Sequence, residues 1–451
     1  MMQLENIKVI VTGDVLSDSA IPSVAATQLA ALSKTDDFSV YMMPSSFVEN
    51  WKEVGIASIV DGGPEYLGVT FAKPDGTLQT GVMRRNVQRY VDRLGAAMGS
   101  AERNALAETV TLVNAASNIG ARIVVTRSTE LLQARKRGVG FLSTCGLLDP
   151  EEAVTICYAL LRGRNRYVTQ KHPDYCRRSD ETVFYSSLAS NLLGKTSKVL
   201  RHVMNPDFKG RYELPASHLQ AILTRFTDLL IAADELGRAY ISEGMNGGGN
   251  GQLIRQLSHL NNSIVAYSGA LDAIAWVAKD LDSTNVPGGK MSIAWKQLVK
   301  NEPKKLGSLV TGDAAIMQAA ASAVDPVWPN FVNDLREKVQ HRKPLTGGIA
   351  QFVVSGNGNP EASYSVVDLR ESTSAEVSLP PGMYGVFRDG CVQPHVLQHE
   401  MVRSLQGILE TVIGSLGWSD DSWIVDDEHS HGSLDEHLSF GRDAVQQWWW
   451  R

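Results

Sequence analysis

Arg336 and His341 lie five residues apart, with Arg342 next to the histidine. They close a run in which Phe331, Leu335 and Val339 recur at helical spacing, until Pro344 stops it. A guanidinium grips phosphate through a planar fork of donors, and an imidazole exchanges protons near neutral pH. Together the two groups can cleave an RNA backbone without a metal. On an ideal helix, positions five apart are separated by about 140° around the axis. The pair therefore meets only where the helix is ending or where a second subunit completes the site. The competing expectation is that both side chains cap and solubilise the exposed end of a core helix.

A second chemical feature is charge. Between Arg162 and Arg211 eleven basic residues face four acidic ones, in a chain whose net charge is -6. Any nucleic-acid contact must then be a local patch rather than a property of the whole surface. The candidates are Arg162, Arg164, Arg166, Lys171, Arg177 and Arg178, with Tyr167, Tyr175, Phe184 and Tyr185 interleaved. Cations neutralise phosphates and aromatic rings stack on bases; the alternative is a solvated connector.

Weaker features are weighed against plainer expectations. His395 and His399 stand four apart on a predicted helix beside Glu400, a zinc-ligand spacing, but no third ligand is evident, and surface histidines are expected. Gly247 to Gly251 and Gly194-Lys195-Thr196 match no phosphate-loop spacing and are expected to be links. His429, His431 and His437 lie among acids in a tail expected to be solvated. Trp448, Trp449 and Trp450 are too apolar to be left in water, so they dock on the body or on a protein partner.

The bulk properties are those of an ordinary globular protein: 451 residues, 43% hydrophobic and 20% charged, enough for two to four domains. Cys145, Cys157, Cys176 and Cys391 form no Cys-x-x-Cys pair, which argues against a disulfide framework or a cysteine zinc site. No apolar run reaches membrane-span length, and the opening Met-Met-Gln-Leu-Glu leads into a strand rather than a signal peptide. The expectation is a cytoplasmic protein with no membrane contact.

Strands are predicted at 7-12, 39-44, 121-126 and 139-142, with helices over 104-119 and 129-137. Strands alternating with helices imply a mainly parallel α/β sheet over 1-150. A basic connector occupies 151-214. Residues 215-345 carry long apolar-periodic helices broken at glycine-rich points, the pattern of an all-α bundle. A β-hairpin (349-354 with 364-369), a strand at 384-387 and a helix over 395-416 fill 346-417, and an acidic, Trp-ended tail covers 418-451.

Two family resemblances follow. Val11 to Asp18, Pro44 to Glu49, Ala107-Glu108-Thr109, Ile123 to Glu130, Gly138 to Leu142 and Pro150 to Ala153 resemble the layout of PIN-domain nucleases. The likeness covers about a third of the chain and lies in layout more than motif. Those enzymes hold a divalent metal in a carboxylate cluster for in-line attack on phosphate. Here the family's first aspartate position is Thr12 and a later one is Ser128. The resemblance leaves Asp14, Glu49, Glu108 and Glu130 as an altered metal set for Mg or Mn, or else implies a domain that has lost metal catalysis. The helical region resembles HEPN domains of RNA-cutting toxins and defence proteins, whose motif is Arg, a polar residue, a short spacer and His. Arg336-Glu337-Lys338-Val339-Gln340-His341 fits at the minimum spacing, and Glu337 departs from the family's Asn, Asp or His. The resemblance implies that His341 takes the 2′-OH proton, that Arg336 steadies the phosphorane-like charge, and that a homodimer completes the site.

The function expected from all this is RNA binding and metal-independent RNA cleavage, as in a toxin or antiviral-defence ribonuclease. The alternative is a non-catalytic scaffold or sensor built from degenerate nuclease-like folds.

Overall fold

Strand β1 (Ile7–Thr12) is a β-branched run buried on both faces, as the centre of a parallel sheet requires. In the computed structural model the described residues are 7-12, 15, 25, 28-29, 32, 35, 37-43, 60-61, 66-72, 78-84, 99, 113, 116-117, 119-129, 132, 146-172, 175-205, 212-246, 249-281, 294-300, 312-341, 345-352, 362-369 and 391-418. On one side of β1 lie β2 (Phe38–Met43), β4 (Tyr66–Ala72) and β3 (Val60–Asp61); on the other lie β6 (Ala121–Val125) and β7 (Gly146–Leu148). Strands β2, β1, β6 and β7 pair in parallel, while β3, β4 and β5 (Leu78–Arg84) add antiparallel pairs at the β2 side.

Both faces of the parallel part are covered. Val9, Val11, Val40 and Val125 pack against the helical positions Ala25, Leu29 and Leu32 and against α1 (Pro150–Arg162). Ile10, Tyr41 and Val124 point the other way, onto Val113, Ala116 and Ile119. Strong local signals start α1. Asp149 and Glu152 cap each other's backbone N–H groups, and Pro150 opens the first turn.

The segment expected to be a basic connector is a folded layer. It contains α1, the antiparallel hairpin β8 (Tyr167–His172) and β9 (Tyr175–Ser179), α2 (Glu181–Leu192) and α3 (Gly194–Val203). Its apolar residues supply the reason: Phe184, Tyr185, Leu188, Leu193 and Val199 are buried in the main core.

That core is built on α4 (Glu213–Asn246) and α5 (Asn250–Leu281), which run antiparallel. The pairing is visible along their length: His218 meets Asp280, Arg225 donates to the Gly269 carbonyl, and Gln252 donates to the Ala239 carbonyl. Helices α6 (Trp295–Lys300), α7 (Gly312–Ala323) and α8 (Val327–His341) pack around this pair. The predicted hairpin forms from β10 (Thr346–Phe352) and β11 (Ala362–Asp368), extended by β12 (Cys391–Val392). Helix α9 (Pro394–Val412) and the short 3-10 turn Gly414–Leu416 close the fold. Val367, Leu369, Leu397, Leu405 and Leu409 share one core with α4 and α5, so the bundle and the C-terminal β-plus-helix segment are packed as a unit.

The chain is thus a mixed α/β sheet followed by a mainly helical body. Among the described residues no helix is long and apolar enough to cross a membrane. The strands predicted at 139-142 and 384-387 lie outside the described residues, as does the tail after Trp418 with Trp448, Trp449 and Trp450. β7 at Gly146–Leu148 is not among the predicted strands, being too short for periodicity to reveal.

Candidate functional site

Helix α8 exists because its apolar face is buried. Phe331, Val332 and Leu335 are in the core, and Trp328 meets Phe331 edge-on at 5.6 Å. Asp325 accepts from the Val327 N–H at the helix start. The helix ends on His341. Arg336 stands at the edge of the buried face with its side chain 33% exposed, and its Nη1 donates to Asp272 Oδ2 of α5 at 3.0 Å. The other carboxylate oxygen of Asp272 accepts from the Trp295 N–H at the start of α6, 3.1 Å away. One carboxylate thus ties α5, α6 and α8 together and sets the guanidinium at a fixed angle. On an ideal helix, position 341 falls near the azimuth of Glu337 and Asp334, one and two turns back, and about 140° from Arg336. The His341 side chain lies outside the described residues, as do Arg342 and Pro344.

The four carboxylates Asp14, Glu49, Glu108 and Glu130 also lie outside the described residues. The carboxyl ends of β1 and β6, where ligand crevices of parallel sheets form, are among the described residues. Thr12 is buried there, and its hydroxyl donates across the strands to the Val125 carbonyl at 2.9 Å. A carboxylate could not make that donation. Beyond β6, the Ser128 N–H donates to the Thr126 hydroxyl. Among the described residues no group of three His, Cys, Asp or Glu side chains is placed to hold a metal ion.

The basic candidates divide. Arg162, expected on a phosphate-binding surface, is instead 1% exposed. It forms a two-pronged ion pair with Asp234 of α4, which also accepts from the Tyr185 hydroxyl, and its guanidinium lies over the Phe184 ring. Burial alone would weaken its hold on the proton, and the Asp234 charge more than reverses this, so the pKa rises and the arginine stays charged. Burial and Asp234 push the Tyr185 hydroxyl up, so it remains a neutral donor. Arg164 and Arg166 converge on the buried Asp37, just before β2. Lys171, Arg177 and Arg178 belong to the β8–β9 hairpin, and their side chains lie outside the described residues. The acids that occupy the first three arginines sit 72 and about 130 positions away in sequence, so composition could not reveal them.

His395 and His399, expected at the surface, face inward. His395 stacks on Tyr240 at 3.9 Å between ring centroids. Burial, with His399 nearby, lowers the His395 pKa to about 3; burial, with Arg403, lowers that of His399 to about 4. Both are neutral at physiological pH, His395 buried and His399 partly buried. The start of α3, where Gly194-Lys195-Thr196 lies, is filled by this chain's own Glu410, which accepts from the Lys195 and Thr196 N–H groups and from the Thr196 hydroxyl.

Set against protein-family models, curated proteins and solved structures, the chain matches none.

Proposed function

We propose that this chain is an RNA-binding ribonuclease of toxin or antiviral-defence type, active in the cytoplasm. It combines a PIN-like α/β domain with a HEPN-like helical body and cleaves without metal through Arg336 and His341 of a homodimer. The observation that carries this reading is that α8 ends on His341 itself, with Arg336 one-third exposed and oriented by Asp272 one and a half turns earlier. A helix end is where such a pair can be completed, and the azimuthal offset within one helix is the reason for invoking a second copy. His341 then takes the 2′-OH proton as the 2′ oxygen bonds to phosphorus, Arg336 of the facing subunit stabilises charge on the phosphate, and the P–O5′ bond breaks with the proton passed from His341 to the departing 5′ oxygen, leaving a 2′,3′-cyclic phosphate and a 5′-hydroxyl.

The test is RNA cleavage by purified protein in EDTA. His341→Ala should lower the rate by about 10²–10⁴-fold, the usual contribution of a general base, and a mixed dimer of His341→Ala with Arg336→Ala should regain part of it. Cleavage seen only with added Mg or Mn would move the chemistry to Asp14, Glu49, Glu108 and Glu130. No cleavage in either condition, with folded protein, would sink the enzyme reading.

A second reading has its own support: a non-catalytic scaffold or sensor. Thr12 uses its hydroxyl for a cross-strand bond where the PIN resemblance expects a metal-binding aspartate, and Arg162, Arg164 and Arg166 are committed to internal carboxylates.

A further inference from the structure

Among the described residues of the basic stretch, the outer face of α3 is turned to the solvent. Thr196, Ser197, Val199 and Val203 face the core, while Lys195, Lys198 and Arg201 are exposed. At about 100° per residue these three cations span an arc of about 120°, and position 202 falls within that arc. α3 contains no acidic residue. Glu410, at its start, is engaged with the helix N–H groups; among the described residues Glu213, next in the chain to Tyr212, is an acid adjoining the rings described next.

Beside the cations lies a cluster of rings. His202 is 5.0 Å from Trp418 and 6.4 Å from Tyr212, and Tyr212 is 5.4 Å from Trp418. All three rings are partly exposed. Two glycines build this corner. Gly417 adopts a φ of +67°, which turns the chain so that Trp418 reaches back to His202. At Gly414 a Cβ would meet Lys195 Cδ at 2.6 Å, so its absence lets the lysine stem cross the turn.

We propose that this face binds single-stranded RNA, with Lys195, Lys198 and Arg201 on phosphates and the edge formed by His202, Tyr212 and Trp418 on bases. The choice of RNA rests on the function proposed above. A polyanion is what three exposed cations on one helix complement in a chain of net charge -6. Rings add to this only when base faces are open, which selects single strands over duplex.

The test measures fluorescence anisotropy of a labelled 20-nucleotide uridine oligomer in EDTA, in a His341→Ala background so that binding is read without cleavage. Replacing Lys195, Lys198 and Arg201 by Ala should reduce the slope of log affinity against log salt by about 2, at about 0.7 per phosphate for single strands. Trp418→Ala should weaken binding about tenfold with the slope unchanged, Trp418→Phe should restore it, and duplex RNA should bind less tightly. Thermal unfolding checks that each variant is folded. No binding by the parent, or unchanged binding in the triple variant, overturns the proposal. So does poly-glutamate binding as tightly as RNA without regard to Trp418, which would assign the face to an acidic protein. Binding that follows these residues while the wild-type protein cleaves nothing upholds this site and rejects the ribonuclease.

Discussion

Asp234 holds a buried charge on which several groups depend. It sits at 0% exposure on α4 and neutralises Arg162, the last residue of the helix that covers the α/β sheet. Removing one partner of such a pair leaves the other charged and buried, which typically costs about 3–5 kcal/mol. Asp234→Ala is therefore expected to lower the urea midpoint by that equivalent, while Arg162→Met with Asp234→Asn, which removes both charges, costs much less. His395 gives a pH-dependent counterpart. Its folded pKa of about 3 lies below the ordinary histidine value near 6.5, so the unfolded chain takes up a proton that the folded chain refuses. The contribution is neutral above pH 6.5 and turns against folding as pH falls toward 4, by about 1.4 kcal/mol per pH unit. His395→Phe should flatten the fall in stability between pH 6.5 and 4.5, read from urea melts; an unchanged slope would place the sensitivity elsewhere. The sequence shows both histidines and the arginine but not their burial, because the groups that bury them come from α4 and α2.

At the scale of elements, the hairpin β10–β11 is legible in outline because β-branched runs flank a turn-rich stretch, and the pairing from Thr346 with Asp368 to Phe352 with Ala362 follows. Its fit to the body depends on a single glycine. A Cβ at Gly347 would come within 2.3 Å of the Val366 carbonyl oxygen and 3.1 Å of Leu253 Cδ1 on α5. The first contact is with backbone and cannot be relieved by a rotamer change. Gly347→Ala should destabilise the protein by about 1–3 kcal/mol, as overpacking does, with the loss visible as faster hydrogen exchange in β10 and β11. Wild-type exchange in the variant would show that the two strands accommodate the added methyl group at no cost. Helix α8 is the opposite case: its periodicity and its stop near Pro344 are both local, so its end was predictable to within a few residues. Its orientation was not, because Asp272, which fixes Arg336, lies 64 positions earlier.

For the whole molecule, α9 links parts that the sequence separates. Gln398 donates to the Leu229 carbonyl of α4, Tyr267 of α5 pairs with Ser404, and Glu410 caps α3. Its apolar face, including Leu397, Leu405 and Leu409, is fully buried in the main core. A chain ending before Pro394 should therefore expose the α4–α5 pair, bind a hydrophobic dye and lose its near-ultraviolet circular dichroism while keeping helical signal. A truncated protein that unfolds as cooperatively as the full chain would show that the bundle is self-sufficient.

By itself the sequence determined the class of the elements: a β-branched run for the central strand, long apolar-periodic helices, a hairpin (predicted at 349-354 with 364-369 and found at 346-352 with 362-368), and the candidate pair at the end of α8. These depend on interactions between residues near in sequence, which periodicity and capping record. Only the tertiary structure decided what the charges do. Eleven basic residues in one stretch look alike in sequence, yet Arg162 is sealed against Asp234, Arg164 and Arg166 are drawn to Asp37, and Lys195, Lys198 and Arg201 face water beside Trp418. The physical reason is that burial and long-range pairing are set by which helix packs on which, and the partners come from distant parts of the chain.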